Sequence, residues 1–239
     1  MRILVTNDDG IEAEGLKRLA EMAKRFGEVW VVAPAEQCSA MSQRITISEP
    51  VTVSPVPFSI DAVKAFTVSG TPADCVKTAF GYLMKDKMPD WVFSGMNWGF
   101  NAGYDIAYSG TVGAAMEAVM EGVPAIAFSN DAVDMYEVSE RYMAEIAETL
   151  MQKEKLKREI WNVNFPACPL SECGGIEWDV SVETAPYYYG EYKIEHKEDG
   201  SVILSGRGVS RPKPENSLSD VAVLHQNKVA VGKIRCMVL

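Results

Sequence analysis

Short apolar runs alternate with segments of helical periodicity along the first two-thirds of this sequence. Residues 3–5 and 29–33 are continuous apolar runs, and apolar residues recur at helical spacing over 15–26. The alternation continues with predicted strands at 91–93, 125–128 and 161–165 and predicted helices at 72–84, 111–121 and 137–150. Continuous apolar strands are typical of a sheet that is covered on both faces. The pattern therefore predicts an α/β fold with a doubly wound, mostly parallel sheet, which binds ligands beyond the carboxyl ends of its strands.

The last third of the chain has a different pattern. Residues 176–204 are polar and strand-rich, with a turn signal at Asp199-Gly200, and residues 213–216 are typical of a loop. We interpret this part as a β-rich extension used in subunit contacts. The three tyrosines at 187–189 could stack on a nucleobase, but packing within the extension or at an interface is the simpler interpretation for exposed tyrosines.

Charge and cysteine content exclude several classes of protein. The chain has 33 acidic and 23 basic residues, a net charge of −10, so a generally basic surface for a nucleic-acid polymer is not expected. Its apolar runs fall short of the roughly 20 residues that cross a bilayer, and we expect neither a signal peptide nor a membrane segment. Five scattered cysteines without a CxxC pair indicate free thiols in a reducing cytoplasm. With only His196 and His225, chemistry that needs several imidazoles is also excluded.

Two adjacent carboxylates, Asp8 and Asp9, follow the first predicted strand. At the ligand-binding edge of a sheet they repel each other unless something neutralises them, and a hard divalent cation would do so through oxygen ligands. A structural alternative is that they cap the following helix and form a turn with Gly10.

Three further segments are expected at the same edge. Residues 94–105 follow the predicted strand at 91–93, and the amide groups of Asn97 and Asn101 could bind a cation or a phosphate oxygen. Residues 108–113 precede a predicted helix, whose N-terminus with small hydroxyl residues is suited to an anion. Ser39, after the strand at 29–33, could supply a hydroxyl ligand. Each segment alone is better explained as a turn or a helix cap, but together they favour a ligand site.

These motifs resemble those of the SurE (survival protein E) family of metal-dependent nucleotidases. The resemblance is carried by NDDGI at 7–11, SGTPADCV at 69–76, SGMNWGFN at 94–101 and YSGTVGAA at 108–115, with weaker matches at 162–166 and 219–222. It implies a Rossmann-like catalytic domain at 1–170. It also implies a β-rich C-terminal arm at 171–239 that packs on the core and on a partner subunit in a homodimer or homotetramer.

The resemblance also implies an activity and its residues. The activity is hydrolysis of nucleoside 5′-monophosphates, extending to 3′-monophosphates and short polyphosphate. One Mg²⁺ or Mn²⁺ per subunit would polarise a phosphoryl oxygen and activate water, with Asp8 or Asp9 as the proton acceptor. The implied metal ligands are Asp8, Asp9, Ser39 and Asn97, and the implied phosphate-binding residues are Asn97, Asn101, Ser109, Gly110 and Thr111. Ala40 stands where the family pattern has glycine.

Three alternative functions match parts of the sequence. Cys38 and Arg44 satisfy the C-x5-R spacing of cysteine-dependent phosphatases, but the residues between them include no glycine to wrap a phosphate. A phospho-acceptor receiver also has an acidic pair after its first strand, but it needs a third aspartate at a later strand end and is about half as long. A nucleotide-binding regulator without catalysis stays open, because sequence does not reveal turnover.

Overall fold

The structure is a computed structural model, and it describes residues 1–132, 134–153, 158–210, 214 and 218–235. The strands in these ranges are β1 (Arg2–Thr6), β2 (Glu28–Pro34), β3 (Val53–Pro55), β4 (Lys64–Val68), β5 (Trp91–Trp98), β6 (Ala125–Asn130), β7 (Glu159–Phe165), β8 (Ile176–Val180), β9 (Tyr188–His196), β10 (Val202–Ser210) and β11 (Val229–Arg235). The α-helices are α1 (Glu14–Ala23), α2 (Pro72–Thr78), α3 (Gly110–Met120), α4 (Glu137–Gln152) and α5 (Asp220–Leu224).

Nine of these strands form one sheet in the order β3-β4-β2-β1-β5-β6-β7-β11-β8. All neighbouring strands are parallel except the pairs β3–β4 and β7–β11. From β1 the chain builds outwards through β2 and β4 on one side, and then through β5, β6 and β7 on the other. The direction reverses between β1 and β5, which opens a crevice at their carboxyl ends. The predicted α/β fold with a mostly parallel, doubly wound sheet is confirmed.

The sheet is buried on both faces. Ile3 and Val5 of β1 belong to a hydrophobic cluster with residues of α1 and α4. Leu4, which points to the opposite face, belongs to a second cluster with residues of α2 and α3. The continuous apolar run at 3–5 is explained by this arrangement, because alternate side chains of a strand enter different cores.

Two predicted boundaries differ from the structure. The helix predicted over 72–84 consists of α2 followed by one π-helical turn, Ala79–Leu83. The strand predicted to end at residue 93 continues to Trp98, so Asn97 lies in β5 and the loop expected from residue 94 was wrong. Gly95 makes this continuation possible: its φ is +128°, and a Cβ there would lie 2.2 Å from the carbonyl oxygen of Phe128 in β6.

The last third of the chain contributes to two sheets. β8 and β11 join the main sheet, whereas β9 and β10 form a separate antiparallel hairpin. The hairpin turns at Asp199-Gly200, as predicted, with Gly200 at a φ of +83°. Of the loop predicted at 213–216, only Pro214 lies within the described residues. The division into domains at residues 170 and 171 stays a prediction.

Within the described ranges, none of the helices combines the length and the apolar character needed to cross a bilayer.

Candidate active site

The predicted site residues meet where the order of the sheet reverses, at the carboxyl ends of β1 and β5. Asp8 and Asp9 follow β1, Asn97 lies near the end of β5, and Ser109 precedes α3. Ser39 comes from the loop after β2. A pocket of about 290 Å³ opens at this point. It is lined by Asp8, Ser39, Ala40, Asn97, Trp98, Gly99, Phe100, Asn101, Asp105, Tyr108, Ser109 and Tyr188.

Asp8 is the most firmly held of these residues. Its carboxylate accepts a hydrogen bond from the Thr111 hydroxyl at 2.6 Å and another from the Thr111 backbone N–H at 3.2 Å. Its own backbone carbonyl accepts from the Cys38 N–H at 2.7 Å. The side chain therefore has one fixed orientation, and the first turn of α3 sets it. Thr111 itself is fully buried behind Asp8, so a direct phosphate contact by Thr111 stays a prediction.

Gly110 allows α3 to approach the Asp8 carboxylate this closely. A Cβ at residue 110 would lie 2.9 Å from the Asp8 Cβ and 3.0 Å from its Oδ2. The carbonyl oxygen of Cys38 would be 3.2 Å away on another side. Since backbone and carboxylate both border this space, a larger residue would displace Asp8.

Asp9 is held by β5 and by the loop after β2. Its Oδ2 accepts a hydrogen bond from the Trp98 backbone N–H at 3.0 Å. The Gln37 amide lies 3.5 Å from Asp9 Oδ1 and donates to the Ser39 hydroxyl at 3.1 Å. Gln37 therefore links two predicted metal ligands that come from different loops.

The loop that carries Ser39 contains a backbone conformation that favours glycine. Ala40 has a φ of +58°, in the left-handed region, which costs a residue with a Cβ about 1–2 kcal/mol. The conformation that glycine favours is therefore retained at Ala40, and Ser39 still reaches the pocket.

Asn97 and Asn101 are both fixed by hydrogen bonds. Asn97 Nδ2 donates to the Gly99 carbonyl at 2.9 Å, which leaves its Oδ1 as the atom for a ligand. The Asn101 carbonyl accepts from the side chains of Asn162 and Asn164, at 2.8 and 3.0 Å, and Asn101 Nδ2 donates to Ser129 at 2.8 Å. The matched motif at 162–166 thus anchors the loop that lines the pocket.

The helix N-terminus at Ser109 is regular. The Ser109 hydroxyl accepts a hydrogen bond from the Val112 N–H at 3.1 Å and caps α3. This confirms that a helix with small hydroxyl residues at its start faces the pocket. Ser109 is buried but lines the pocket, so an anion there would meet the positive end of the helix dipole.

Asp8 is buried and Asp9 is half-buried, and neither has a neutralising side chain among the described residues. Asp8 is only 3% exposed, and burial, together with the neighbouring charge of Asp9, raises its pKa to about 6 even though the Thr111 hydroxyl opposes the shift. Burial also raises the pKa of Asp9 above 3.8. Neither forms a salt bridge with any lysine, arginine or histidine that the structure describes. Such a pair lacks a counter-charge.

The donor set fits a hard divalent cation. The described residues contain no cluster of three or more His, Cys, Asp and Glu side chains suited to a metal. A cation between Asp8 and Asp9 would therefore complete its ligands from neutral oxygens, and the Ser39 hydroxyl and the Asn97 amide border the same pocket. Carboxylate, hydroxyl and amide oxygens are the ligands that Mg²⁺ and Mn²⁺ prefer.

The cysteine mechanism gains no support from the geometry. The Cys38 thiol is buried, and burial together with the charges of Asp8, Glu36 and Asp74 raises its pKa, with Arg44 only partly opposing the shift. A nucleophilic cysteine needs a lowered pKa. Within the described chain, Cys38, Cys75, Cys168 and Cys173 are all free thiols.

Sequence reasoning missed several residues of the pocket wall. Trp98 and Tyr108 lie inside quoted motifs and Asp105 lies in the segment 94–105, but none of the three was predicted to bind a ligand. Tyr188 comes from β9, and its hydroxyl accepts a hydrogen bond from the Phe100 N–H at 3.1 Å. Its backbone N–H donates to Asp105 at 2.8 Å. The preceding Tyr187 is buried and packs edge-to-face on Phe100, with ring centroids 5.1 Å apart.

Comparison with known proteins agrees with this geometry. Residues 3–185 match the family model described as "Survival protein SurE". The chain is 36% identical over 237 residues to "5'-nucleotidase SurE" of Alkaliphilus metalliredigens (strain QYMF), covering 98% of this chain and 92% of that protein. It is 41% identical over 177 residues to the protein of the same name from Vibrio campbellii (strain ATCC BAA-1116), covering 74% of this chain and 67% of that protein.

Among solved structures, the chain is similar to the SurE protein from Aquifex aeolicus. The TM-score is 0.83 at 28% sequence identity, and the superposition covers 100% of this chain and 95% of the other. Sequence and structure thus agree over almost the whole length. The chain belongs to the SurE family.

Proposed function

We propose that this chain is a divalent-metal-dependent phosphatase that hydrolyses nucleoside 5′-monophosphates to nucleoside and phosphate. One observation carries the proposal: the buried Asp8 and the half-buried Asp9 are adjacent and have no counter-charge among the described residues, and Asp8 lines a pocket that also borders the N-terminus of α3. The name 5′-nucleotidase of the relatives supplies the substrate class. The extension to 3′-monophosphates and short polyphosphate belongs to the same proposal.

Asp8, Asp9, Ser39 and Asn97 would hold one Mg²⁺ or Mn²⁺ per subunit. When bound, such a cation polarises a phosphoryl oxygen and makes water more acidic. Asp8 and Asp9 would both bind the cation, and one of the two would also accept the proton of the attacking water.

The phosphate group would sit between the carboxylates and α3. Ser109, at the helix N-terminus, and the Asn101 side chain would stabilise its equatorial oxygens as charge develops. Thr111 and Gly110 would support phosphate binding through Asp8. The Thr111 hydroxyl orients the Asp8 carboxylate, and Gly110 leaves room for it. An acidic protein can thus attract an anion through a cation and a helix terminus, without a basic surface.

The decisive test is phosphate release from AMP, GMP and a chromogenic phosphomonoester. The full chain is stripped with EDTA and then restored with Mg²⁺ or Mn²⁺. We expect activity only with metal, a loss of at least about 100-fold in Asp9→Asn, and full activity in the matched Cys38→Ser variant. Metal-independent activity that disappears in Cys38→Ser would overturn the proposal.

A nucleotide-binding regulator is the alternative that this test separates. Tight binding of AMP without phosphate release, at any metal concentration, would assign the pocket to binding alone. A receiver would instead retain the label from acetyl phosphate.

Location and assembly complete the proposal. We propose a cytoplasmic protein, supported by the four free thiols of the described chain. A homodimer or homotetramer is supported by the exposed apolar face of the β9–β10 hairpin, on which Tyr192, Ile194 and Leu204 are more than half exposed.

A further inference from the structure

Three partly exposed aromatic side chains surround the mouth of the pocket. Trp98 is 61% exposed, Tyr108 is 57% exposed and Tyr188 is 38% exposed, yet all three line the same cavity as Asp8 and Asn97. We call these three residues the aromatic rim. A cluster of exposed aromatic surface around a polar pocket marks a binding site more often than it marks unused surface.

Two members of the rim are tied to the predicted cation and phosphate ligands through the backbone. Trp98 follows Asn97, and its N–H donates to Asp9 Oδ2 at 3.0 Å. Tyr108 precedes the helix cap Ser109, and its carbonyl accepts from the Ser42 N–H at 2.8 Å. These hydrogen bonds use backbone atoms only. Among the described residues, the indole of Trp98 and the phenol of Tyr108 form no hydrogen bond, and both rings border the pocket.

The third member forms a rigid wall. The Tyr188 hydroxyl accepts from the Phe100 N–H, and its backbone donates to Asp105, so both ends of the residue are fixed to the loop that follows β5. Its ring also packs edge-to-face on Tyr187, with centroids 4.9 Å apart. An aromatic wall that is fixed in this way loses little entropy when a flat ligand stacks against it.

We propose that the aromatic rim is the nucleoside subsite, in which the base stacks on Trp98 and Tyr108 while the phosphate lies against Asp8 and Ser109. This inference rests on the proposed nucleotidase function and names the part of the substrate that lies outside the phosphate site. Stacking uses the π-face that every base has, so the rim selects nucleotides over simple phosphate esters and discriminates weakly among bases.

The test compares two substrates that share a phosphate and a ribose but differ in the base. AMP and ribose 5-phosphate are hydrolysed by the full chain and by Trp98→Ala, Tyr108→Ala and the conservative Trp98→Phe. Tyr82→Ala is the matched control, because Tyr82 is 65% exposed and does not line the pocket. The substitutions at 98 and 108 keep the backbone groups that position Asp9 and Ser42.

We expect Trp98→Ala to reduce the ratio of kcat/KM for AMP to kcat/KM for ribose 5-phosphate by about 10-fold, since the variant loses the stacking of the base on the indole. The loss should appear mainly in KM. Trp98→Phe should restore most of the ratio, Tyr108→Ala should reduce it less, and Tyr82→Ala should leave it unchanged. An unchanged ratio in both alanine variants would overturn the nucleoside subsite.

Calorimetric binding of AMP and of ribose 5-phosphate, with Mn²⁺ present, separates this proposal from the proposed activity. If the unmodified chain binds AMP without hydrolysing it, and Trp98→Ala weakens that binding, the nucleotidase proposal fails and the subsite stands. If both compounds are hydrolysed and bound equally well by the unmodified chain and by Trp98→Ala, the activity stands and the subsite fails. Larger assemblies that dissociate in Trp98→Ala would assign the rim to a second copy of this chain.

Discussion

Asp8 depends on a single residue for its orientation. Both polar groups of Thr111 donate to its carboxylate, and no water competes with them because Thr111 is fully buried. A hydrogen bond to a charged group contributes about 1.5–3 kcal/mol. The geometry of the predicted metal site is therefore set by the first turn of α3 rather than by the loop that carries Asp8.

Thr111→Val tests this dependence, because it removes the hydroxyl and keeps the shape and the backbone N–H. We expect kcat/KM for AMP to fall about 10–100-fold, as one charge-assisted hydrogen bond predicts. Thr111→Ser keeps the hydroxyl and should retain most of the activity. A titration with Mn²⁺ should show weaker metal binding in Thr111→Val alone. Equal activity and equal metal affinity in both variants would contradict the orienting role.

At this scale the sequence predicted which residues approach each other, but not what each one contacts. Asp8, Asp9, Ser39 and Asn97 were expected at one sheet edge, and they do line or border one pocket. The contact between Thr111 and Asp8 joins residues 103 positions apart and depends on the exact depth of α3. For the tyrosines at 187–189 the sequence favoured packing over base stacking, yet Tyr188 lines the pocket, because its place depends on how the hairpin returns to it.

At the scale of single elements, α2 carries the most heavily bonded carboxylate outside the site. Asp74 forms a capping box with Thr71 and accepts hydrogen bonds from the backbone and hydroxyl of Thr46 at 2.9 and 2.7 Å. Burial would raise its pKa, but the bonds from Thr46 and Thr71 outweigh burial and lower the pKa below 3.8. The ionised form therefore stabilises the folded state.

Asp74→Asn should reduce the free energy of unfolding by about 1–3 kcal/mol at pH 7. Because the folded pKa is lower than the unfolded one, this contribution is fully present above about pH 3.9 and is lost as the pH falls through the folded pKa. The difference between the two proteins, measured by urea unfolding from pH 7 to pH 3, should therefore shrink only at the acid end. Asp86→Asn, at an exposed position, is the control. A difference that stays constant with pH would show that charge is not involved.

Element types were more predictable than element ends. The five predicted strands of the first two-thirds all exist, because apolar runs that enter two cores leave a clear pattern. The extension of β5 through Gly95 was not predicted. A glycine in a sequence usually indicates a loop, and its close packing against a neighbouring strand is visible only in the structure. β3 has only three residues and carries too little pattern to be detected.

At the scale of the whole molecule, the β9–β10 hairpin has one apolar face. Ile194 pairs with Leu204 across the hairpin, and Tyr192 and Val202 lie on the same face. Lys193 and Ser205 pair on the opposite face. Ile194 is 59% exposed and Leu204 is 55% exposed. A two-stranded hairpin is marginally stable alone, so we expect a second copy of the chain to cover this face.

Ile194→Asp should therefore weaken the assembly. Burying one isoleucine contributes about 1.5–3 kcal/mol, and a twofold interface counts it twice, so the dissociation constant should rise at least about 100-fold. Light scattering after size-exclusion chromatography measures the mass. Ser205→Asp places the same charge on the opposite face and should leave the mass unchanged. Equal masses for Ile194→Asp and the unmodified chain would contradict this interface.

The position of β11 has a consequence for the order in which the chain can be completed during synthesis. The strand lies between β7 and β8, antiparallel to the first and parallel to the second, and it is the last strand of the described chain. The segments that supply Asp8, Asn97 and Ser109 leave the ribosome much earlier. A nascent chain thus holds its pocket residues while the edge of β7 is still open to pairing with a neighbour. The strand that closes this edge is therefore synthesised after every residue that lines the pocket.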